Sequence, residues 1–507
     1  MWGNVVMTKH LTVFATAVLV AAISVPAAAE DGSSKQADRA ERDWKLTLAE
    51  DARALHDDIA ANHPGMEDPL NPDFRTKVET GLATALERAQ STTDVGGWWW
   101  ALRSYVASFD DGHMQIGMRN NVGGLPARWP GFLTVYRGED QVVADRIGDS
   151  DTLPPLGARL TECDGVAAER LAETHIGDFR GRWSLKAQRV LYGDWMFLNA
   201  SNPWISEMKQ CRFATNGLEK TYTLAWKPIE ATDLAARRSR INARVTPTFG
   251  MSEFANGGVW LSMPSFDSEP GSEAFIAMTT LLAEAEAKQQ VLREASVVVL
   301  DLRGNGGGSS HWSDNLATIL WGTDCRKAHD VPSSEAVDWR ASDANISELA
   351  AFVAKLKEGG GDADLIAWGD KAISGMRTAK AADRPFWRED DGGSAAQVQR
   401  PTGASSNPVR GRVYVLTDPS CASACLDAVD IWKAAGAIQI GQETSADTLY
   451  MEVRNAGLPS ELAAIGVPMK VYRGRARGNN EPHRPAYPFH GAIADTVALK
   501  AWVATLQ

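Results

Sequence analysis

Cysteine is scarce in this 507-residue chain, with five in all, at positions 163, 211, 325, 421 and 425. So few thiols exclude a fold that depends on a disulfide framework, and the odd count leaves at least one of them unpaired. Cys421 and Cys425 suit small buried fillers as well as a bridge, and a Cys-x3-Cys without a nearby ligand pair is weak evidence for a metal. Basic charge is also short: 52 Lys and Arg stand against 64 Asp and Glu, a net charge of −12. No basic stripe gathers what there is, which argues against a nucleic-acid surface. After the first residues no apolar run approaches the ~18 residues that a spanning helix needs, so no membrane span is expected in the body of the chain. Internal repeats and low-complexity tracts are lacking too.

What is present begins with Lys9 and His10, a largely apolar run over 11–25, and Pro26-Ala27-Ala28-Ala29 before Glu30. That order predicts a secretory signal peptide over 1–29, cut after Ala29, and hence a periplasmic or secreted protein. Residues 30–125 read as a helical N-terminal region, with apolar positions at three and four residue steps and breaks at His63-Pro64-Gly65 and Gly96-Gly97. Trp98, Trp99 and Trp100 cannot share one helix face, so at least one is expected to be exposed or to pack on another part of the chain. Residues 126–230 carry short β-type runs such as 132–136 and 221–224 and read as a small β-rich module. Residues 250–507 alternate strands (259–266, 297–302, 412–417, 437–441) with helices (273–295, 309–321, 423–435, 492–506), the pattern of an α/β core. Within it, 325–410 is rich in Gly, Asp and Ser, holds one good helix at 346–356, and reads as an insertion.

Three motifs could carry chemistry. The run Val413-Tyr414-Val415-Leu416-Thr417-Asp418 is a strand, Pro419-Ser420-Cys421-Ala422 a turn, and a helix starts at Ser423. A serine hydroxyl there sits among free backbone amides that stabilise negative charge, although a serine at a helix start is commonly no more than an N-cap. Ser420 is the second candidate. Strand 297–302 runs into Arg303-Gly304-Asn305-Gly306-Gly307-Gly308, whose glycines let amides approach an anion closely. It meets neither the G-x-G-x-x-G nor the Walker A spacing. Phe109-Asp110-Asp111-Gly112-His113 carries one histidine through a turn. Alone it is unremarkable among nine, but histidine is the side chain suited to shuttling protons near neutrality.

Together, Asp111-Gly112-His113, the stretch 156–165 ending in Asp164-Gly165, the Val-Val-Leu-Asp-Leu-Arg-Gly-Asn-Gly-Gly-Gly run and Ala422-Ser423-Ala424 resemble the tail-specific (C-terminal processing) and tricorn protease family of serine peptidases. The resemblance implies an α/β fold: a ββα spiral core of the ClpP and crotonase type, with a helical N-terminal region and a PDZ-like module. It implies peptide cleavage with no metal or cofactor, Ser423 as nucleophile, and an oxyanion hole from the amides of Gly307 and Ala424. Tail-specific members use a lysine base some two dozen residues after the serine. Residues 441–448 hold none, Lys433 lies in a helix body, and Lys470 lies far beyond. The histidine-base, tricorn-like branch therefore fits better, with His113 as base and Glu481 as the late glutamate beside it. Gly112 departs from that branch, which has serine there, and Asp110 or Asp111 is left to orient the imidazole. A polypeptide is the implied partner. The competing readings are a non-catalytic ligand-binding member of the same fold and an esterase or amidase acting on small molecules.

Overall fold

Residues 42–506 are described by a computed structural model, apart from 243–246, 255–256, 270, 330–333, 335, 360–362 and 390–406. The expected signal segment 1–29 lies outside the described residues. Ahead of residue 109 the helical period is realised as helices Trp44–Asn62, Phe74–Ala89 and Val95–Ala107. Asp43 starts the first by accepting from the amides of Lys45 and Leu46, and Asp94 starts the third by accepting from that of Gly97, each satisfying donors that a helix start leaves unpaired. Their apolar faces meet around Leu48, Leu55, Val78 and Leu102 and continue into Ala463, Ile465 and Val467 of a later strand. The three tryptophans divide as their spacing requires. Trp98 is buried and donates to Asp51 (2.8 Å), Trp99 is half-buried, and Trp100 reaches out of the region to donate to the Ala200 carbonyl (2.7 Å).

The β-rich module is an antiparallel sheet of Phe132–Arg137, Asp140–Arg146, Arg159–Cys163, Gln210–Thr215 and Leu218–Thr223, with Val166–Ala167 hairpinned onto the third. Cys163 and Cys211 stand directly opposite in register and are joined by a disulfide. The short helix Asp178–Arg180 and the turn Gly181–Arg182 lie in the long connection between the third strand and Gln210–Thr215.

The C-terminal half holds two sheets. One has six strands in the order Gly250–Phe254, Gly258–Ser262, Val297–Asp301, Arg412–Thr417, Ile438–Gly441 and Tyr487–Pro488, parallel except for the first. Its central strands are apolar at nearly every position because both faces are covered. Val298, Leu300, Val413 and Val415 face helices Glu273–Ala287, His311–Trp321 and Ala424–Ala434, while Val299, Tyr414 and Leu416 face the closing helix Thr496–Val503. The helix expected over 273–295 breaks at Lys288, where the backbone leaves helical geometry, and resumes as Gln289–Glu294.

The other sheet is built on the long strand Ala463–Arg473. Tyr450–Gly457 pairs with it along its length, Gln115–Met118 with its start and Ala336–Arg340 with its end, and Phe386–Glu389 adds to the last. The stretch 325–410 thus contributes two strands, and it holds a second helix, Ala363–Ala381, beside Asp343–Glu358. Gly369 and Gly375 hid that helix. A side chain at either would collide, with Val353 Cγ2 at 2.3 Å and with Trp387 Nε1 at 2.2 Å, so helix–helix and helix–strand packing overrides the low helix propensity of glycine. The molecule is a mixed α/β protein.

Candidate active site

Ser423 occupies a sharp turn between the central strand Arg412–Thr417 and helix Ala424–Ala434, with φ 55° and ψ −128°. A residue with a Cβ held there costs on the order of 1–3 kcal/mol. The reading of this serine as an N-cap does not hold, because its side chain caps no amide and Oγ, in a residue only 5 % exposed, has no hydrogen-bond partner. The Ala424 amide, first in the helix, makes no hydrogen bond among the described residues. A disulfide joins Cys421 to Cys425 across the serine, and Cys325 remains a buried thiol. Asp418 ties this turn to the glycine loop, accepting from the amides of Ser420 (2.9 Å) and Gly304 (3.1 Å). Burial pushes its pKa up to about 6, against the pull of those two amides.

The glycine loop is anchored by a buried pair. Asp301 accepts from Arg303 (2.6 Å) and from Trp260 Nε1 (2.9 Å), and Arg303 continues to the Ile493 carbonyl and Thr496 Oγ1 near the closing helix. Gly307, at φ +105°, passes so close to the serine that a methyl group on it would stand 2.7 Å from Ser423 Cβ and 2.8 Å from the Ala422 carbonyl oxygen. Its amide, however, donates to Asn305 Oδ1 (2.8 Å), while Asn305 Nδ2 donates to the Met263 carbonyl (2.7 Å). The amide assigned to an oxyanion hole is therefore engaged here, because an asparagine two residues earlier captures it in an Asx turn.

His113 ends the turn that leads into strand Gln115–Met118 and is 5 % exposed. Its amide donates to Asp111 Oδ1 (2.8 Å), which stands 3.9 Å from Nδ1, and Asp111 Oδ2 accepts from Thr448 Oγ1 (2.8 Å). Burial raises the Asp111 pKa against these partners. Asp110, at φ +53°, turns instead to the Arg182 amide (2.7 Å), so of the two aspartates Asp111 is the one beside the imidazole. Neither His113 Nδ1 nor Ser423 Oγ makes a hydrogen bond, so the bond between histidine and serine is not formed in this structure.

Glu481 is not brought to His113. It is exposed and accepts from the Gly478 amide (2.9 Å) within its own loop. The residue of that loop that touches the histidine turn is Asn480, donating to the Asp110 carbonyl (2.8 Å). Besides Asp111, a second carboxylate registers His113: Asp447, 2 % exposed, raised by burial and held down by Arg477 and then by His113. Arg475 bridges Asp447 (3.2 Å) to Asp427 of the serine helix (3.2 Å), and Arg477 also reaches Asp427 (3.1 Å). Burial lifts the Asp427 pKa to about 6, with Arg477 opposing. This ionic cluster links the serine helix to the segment that the histidine turn rests on.

Arg182 was missed by sequence reasoning. It donates through Nη1 to the Ala446 carbonyl (2.6 Å), and a side chain at Gly112 would stand 2.7 Å from that same nitrogen. A side chain at 112 would thus meet the guanidinium that Arg182 sends from the β-rich region. The stretch 441–448 likewise carries no lysine but does carry Asp447. Among the described residues no group of three His, Cys, Asp or Glu is arranged to hold a metal ion.

No protein-family model and no curated protein matches the chain. Among solved structures, mature CPAF complexed with lactacystin matches with TM-score 0.55 at 12% identity, over 91% of this chain and 96% of that one. Mature CPAF alone gives TM-score 0.53 at 11% identity over 91% and 95%. A serine-to-alanine mutant of CPAF gives 0.53 at 11% over 88% and 93%. The chain has the fold of these structures over nearly its whole length.

Proposed function

We propose that this chain is an exported serine peptidase of the tail-specific and tricorn type, cutting polypeptides through an acyl-enzyme on Ser423. The observation that carries the reading is the strained serine. A residue with a Cβ is held at φ 55° with a buried, unpartnered hydroxyl, between a glycine loop and an unpaired amide. Such strain persists where the surroundings impose it, and a strand-to-helix elbow is how a hydrolase exposes its nucleophile. The six-stranded unit is read as the ββα spiral of that family, and 126–230 as its PDZ-like module.

In this mechanism His113 takes the Ser423 proton as Oγ bonds to the scissile carbonyl carbon. Asp111 orients the imidazole and offsets the positive charge it gains. The tetrahedral oxyanion is received by the Ala424 amide, joined by that of Gly307 when Asn305 Oδ1 releases it. Collapse breaks the C–N bond, His113 returns the proton to the leaving amine, and water then hydrolyses the ester by the same route. The separation of His113 and Ser423 is closed by substrate binding, as catalytic hydrogen bonds commonly tighten in the Michaelis complex. Glu481 takes no step in this scheme. Mature CPAF binds lactacystin, so the compound is a reasonable first ligand to offer Ser423.

The test is to offer the protein, cut after Ala29, a permanently unfolded polypeptide beside the same polypeptide held folded by disulfides, and also simple esters. Cleavage of the unfolded form, lost in Ser423→Ala, is expected because only a flexible chain can add itself as an extended strand. Cleavage of neither polypeptide with rapid ester hydrolysis would favour an esterase. Turnover of nothing, with retained lactacystin affinity, would favour a binding protein.

A further inference from the structure

Behind the histidine turn lies a small cavity that the proposed peptide chemistry does not use. Its free volume is about 30 Å³, room for a small inorganic ion. Arg103, Arg180 and Arg182 line it with the Gly181 backbone, Val106 and a single carboxylate, Asp111. That carboxylate is already committed to the His113 amide and to Thr448.

The three cations are unequally satisfied. Arg182 has the Ala446 carbonyl. Arg103 has only a long bond from Nη1 to the Ile116 carbonyl (3.4 Å), and its buried Nε has no partner. The Arg180 guanidinium makes no hydrogen bond or ion pair among the described residues. It lies over the Trp195 ring at 4.0 Å, with Tyr192 at 5.1 Å and Trp100 at 5.4 Å, which fixes it in place without satisfying its donors. Burial, and after it the Arg103 cation, pull the Arg180 pKa down to about 9. Three partly exposed guanidinium groups thus share the cavity with one committed carboxylate, and Asp194, which also attracts Arg180, is held by Arg238.

We propose that this cavity binds a monovalent anion of chloride size between Arg103, Arg180 and Arg182, and that the bound ion holds the Gly181–Arg182 turn against the histidine turn. Arg182 is the lever, since it contacts both Ala446 and the position of Gly112, and an anion beside it lowers the cost of packing the three guanidinium groups together. The inference concerns binding and does not depend on the peptidase reading.

The experiment titrates chloride against gluconate at constant ionic strength and follows the melting temperature, which needs no substrate. A saturable rise of a few degrees with chloride and none with gluconate is expected. Arg180→Gln should abolish that dependence. Should the variant fail to fold, crystals of the unaltered protein grown in bromide decide, with an anomalous peak expected among the three arginines. Equal stability in chloride and gluconate, or bromide found only elsewhere, would overturn the proposal. Formate stabilising the protein where chloride does not would also overturn it, in favour of a carboxylate site.

Discussion

Removing the Ser423 hydroxyl should make the protein more stable, not less. A serine that capped its helix would lose about 0.5–2 kcal/mol on replacement by alanine. Here Oγ caps nothing and is buried without a partner, and an unsatisfied buried hydroxyl carries a desolvation cost of roughly 1–3 kcal/mol that alanine does not. Ser423→Ala is therefore expected to gain about 1–2 kcal/mol. Ser423→Gly has two further effects. It relieves a backbone at φ 55°, worth on the order of 1–3 kcal/mol, and it costs about 0.5–1 kcal/mol in chain entropy with a further ~0.8 for the lost methylene. It should match the alanine variant or slightly exceed it. In a unit of 150–250 residues, each kcal/mol moves the melting temperature by roughly 2–4 °C, so calorimetry on the transition of the six-stranded unit resolves the sign. Both variants should lose activity, the trade of stability for function expected of a strained nucleophile. A Ser423→Ala protein that melts lower than the unaltered one would refute this reasoning and restore the cap.

Gly112→Ser should displace Arg182 from the Ala446 carbonyl, because its Cβ would stand 2.7 Å from Nη1, and should lower kcat about 10- to 100-fold with little change in KM. An unchanged kcat would remove Arg182 from the positioning of His113. Replacing both Cys421 and Cys425 by alanine should lower kcat by loosening the serine turn without unfolding the protein. A variant of full activity would make that bridge incidental. His63 is buried against Phe74, with ring centres 4.3 Å apart, and burial pulls its pKa down to about 3, below the unfolded ~6.5. The stability that its neutral ring contributes is complete above pH ~6.5 and is lost as pH falls toward 3, at up to about 1.4 kcal/mol per pH unit. Asp418, raised to about 6, acts oppositely, favouring the folded state as pH falls from 6 toward 4. The unfolding free energy of the unaltered protein minus that of His63→Asn should rise with pH between 4.5 and 6.5 and then level, and a constant difference would contradict it.

The α/β alternation, the buried strands and the meeting of a serine turn with a glycine loop were legible because apolar runs and glycines have few other uses. Helix Ala363–Ala381 was not, since Gly369 and Gly375 answer to Val353 and Trp387, which are contacts and not propensities. The pairing of Cys421 with Cys425 was open because both a bridge and two fillers fit that spacing. Asp447 gave no periodic signal, and its place depends on Arg475 and Arg477, far along the chain. The capture of the Gly307 amide could have been found, because an asparagine two residues before a glycine is an Asx-turn signature. Glu481 could not have been placed without the loop itself, where its neighbour Asn480 makes the contact.

The central claim is that Ser423 is a nucleophile served by His113. It is tested most directly by exposing the purified protein to a fluorophosphonate and mapping the adduct by mass spectrometry. A single adduct on Ser423 is expected, forming far more slowly in His113→Gln and unaffected in Glu481→Gln. An adduct on Ser420, none at all, or a rate indifferent to His113 would contradict it.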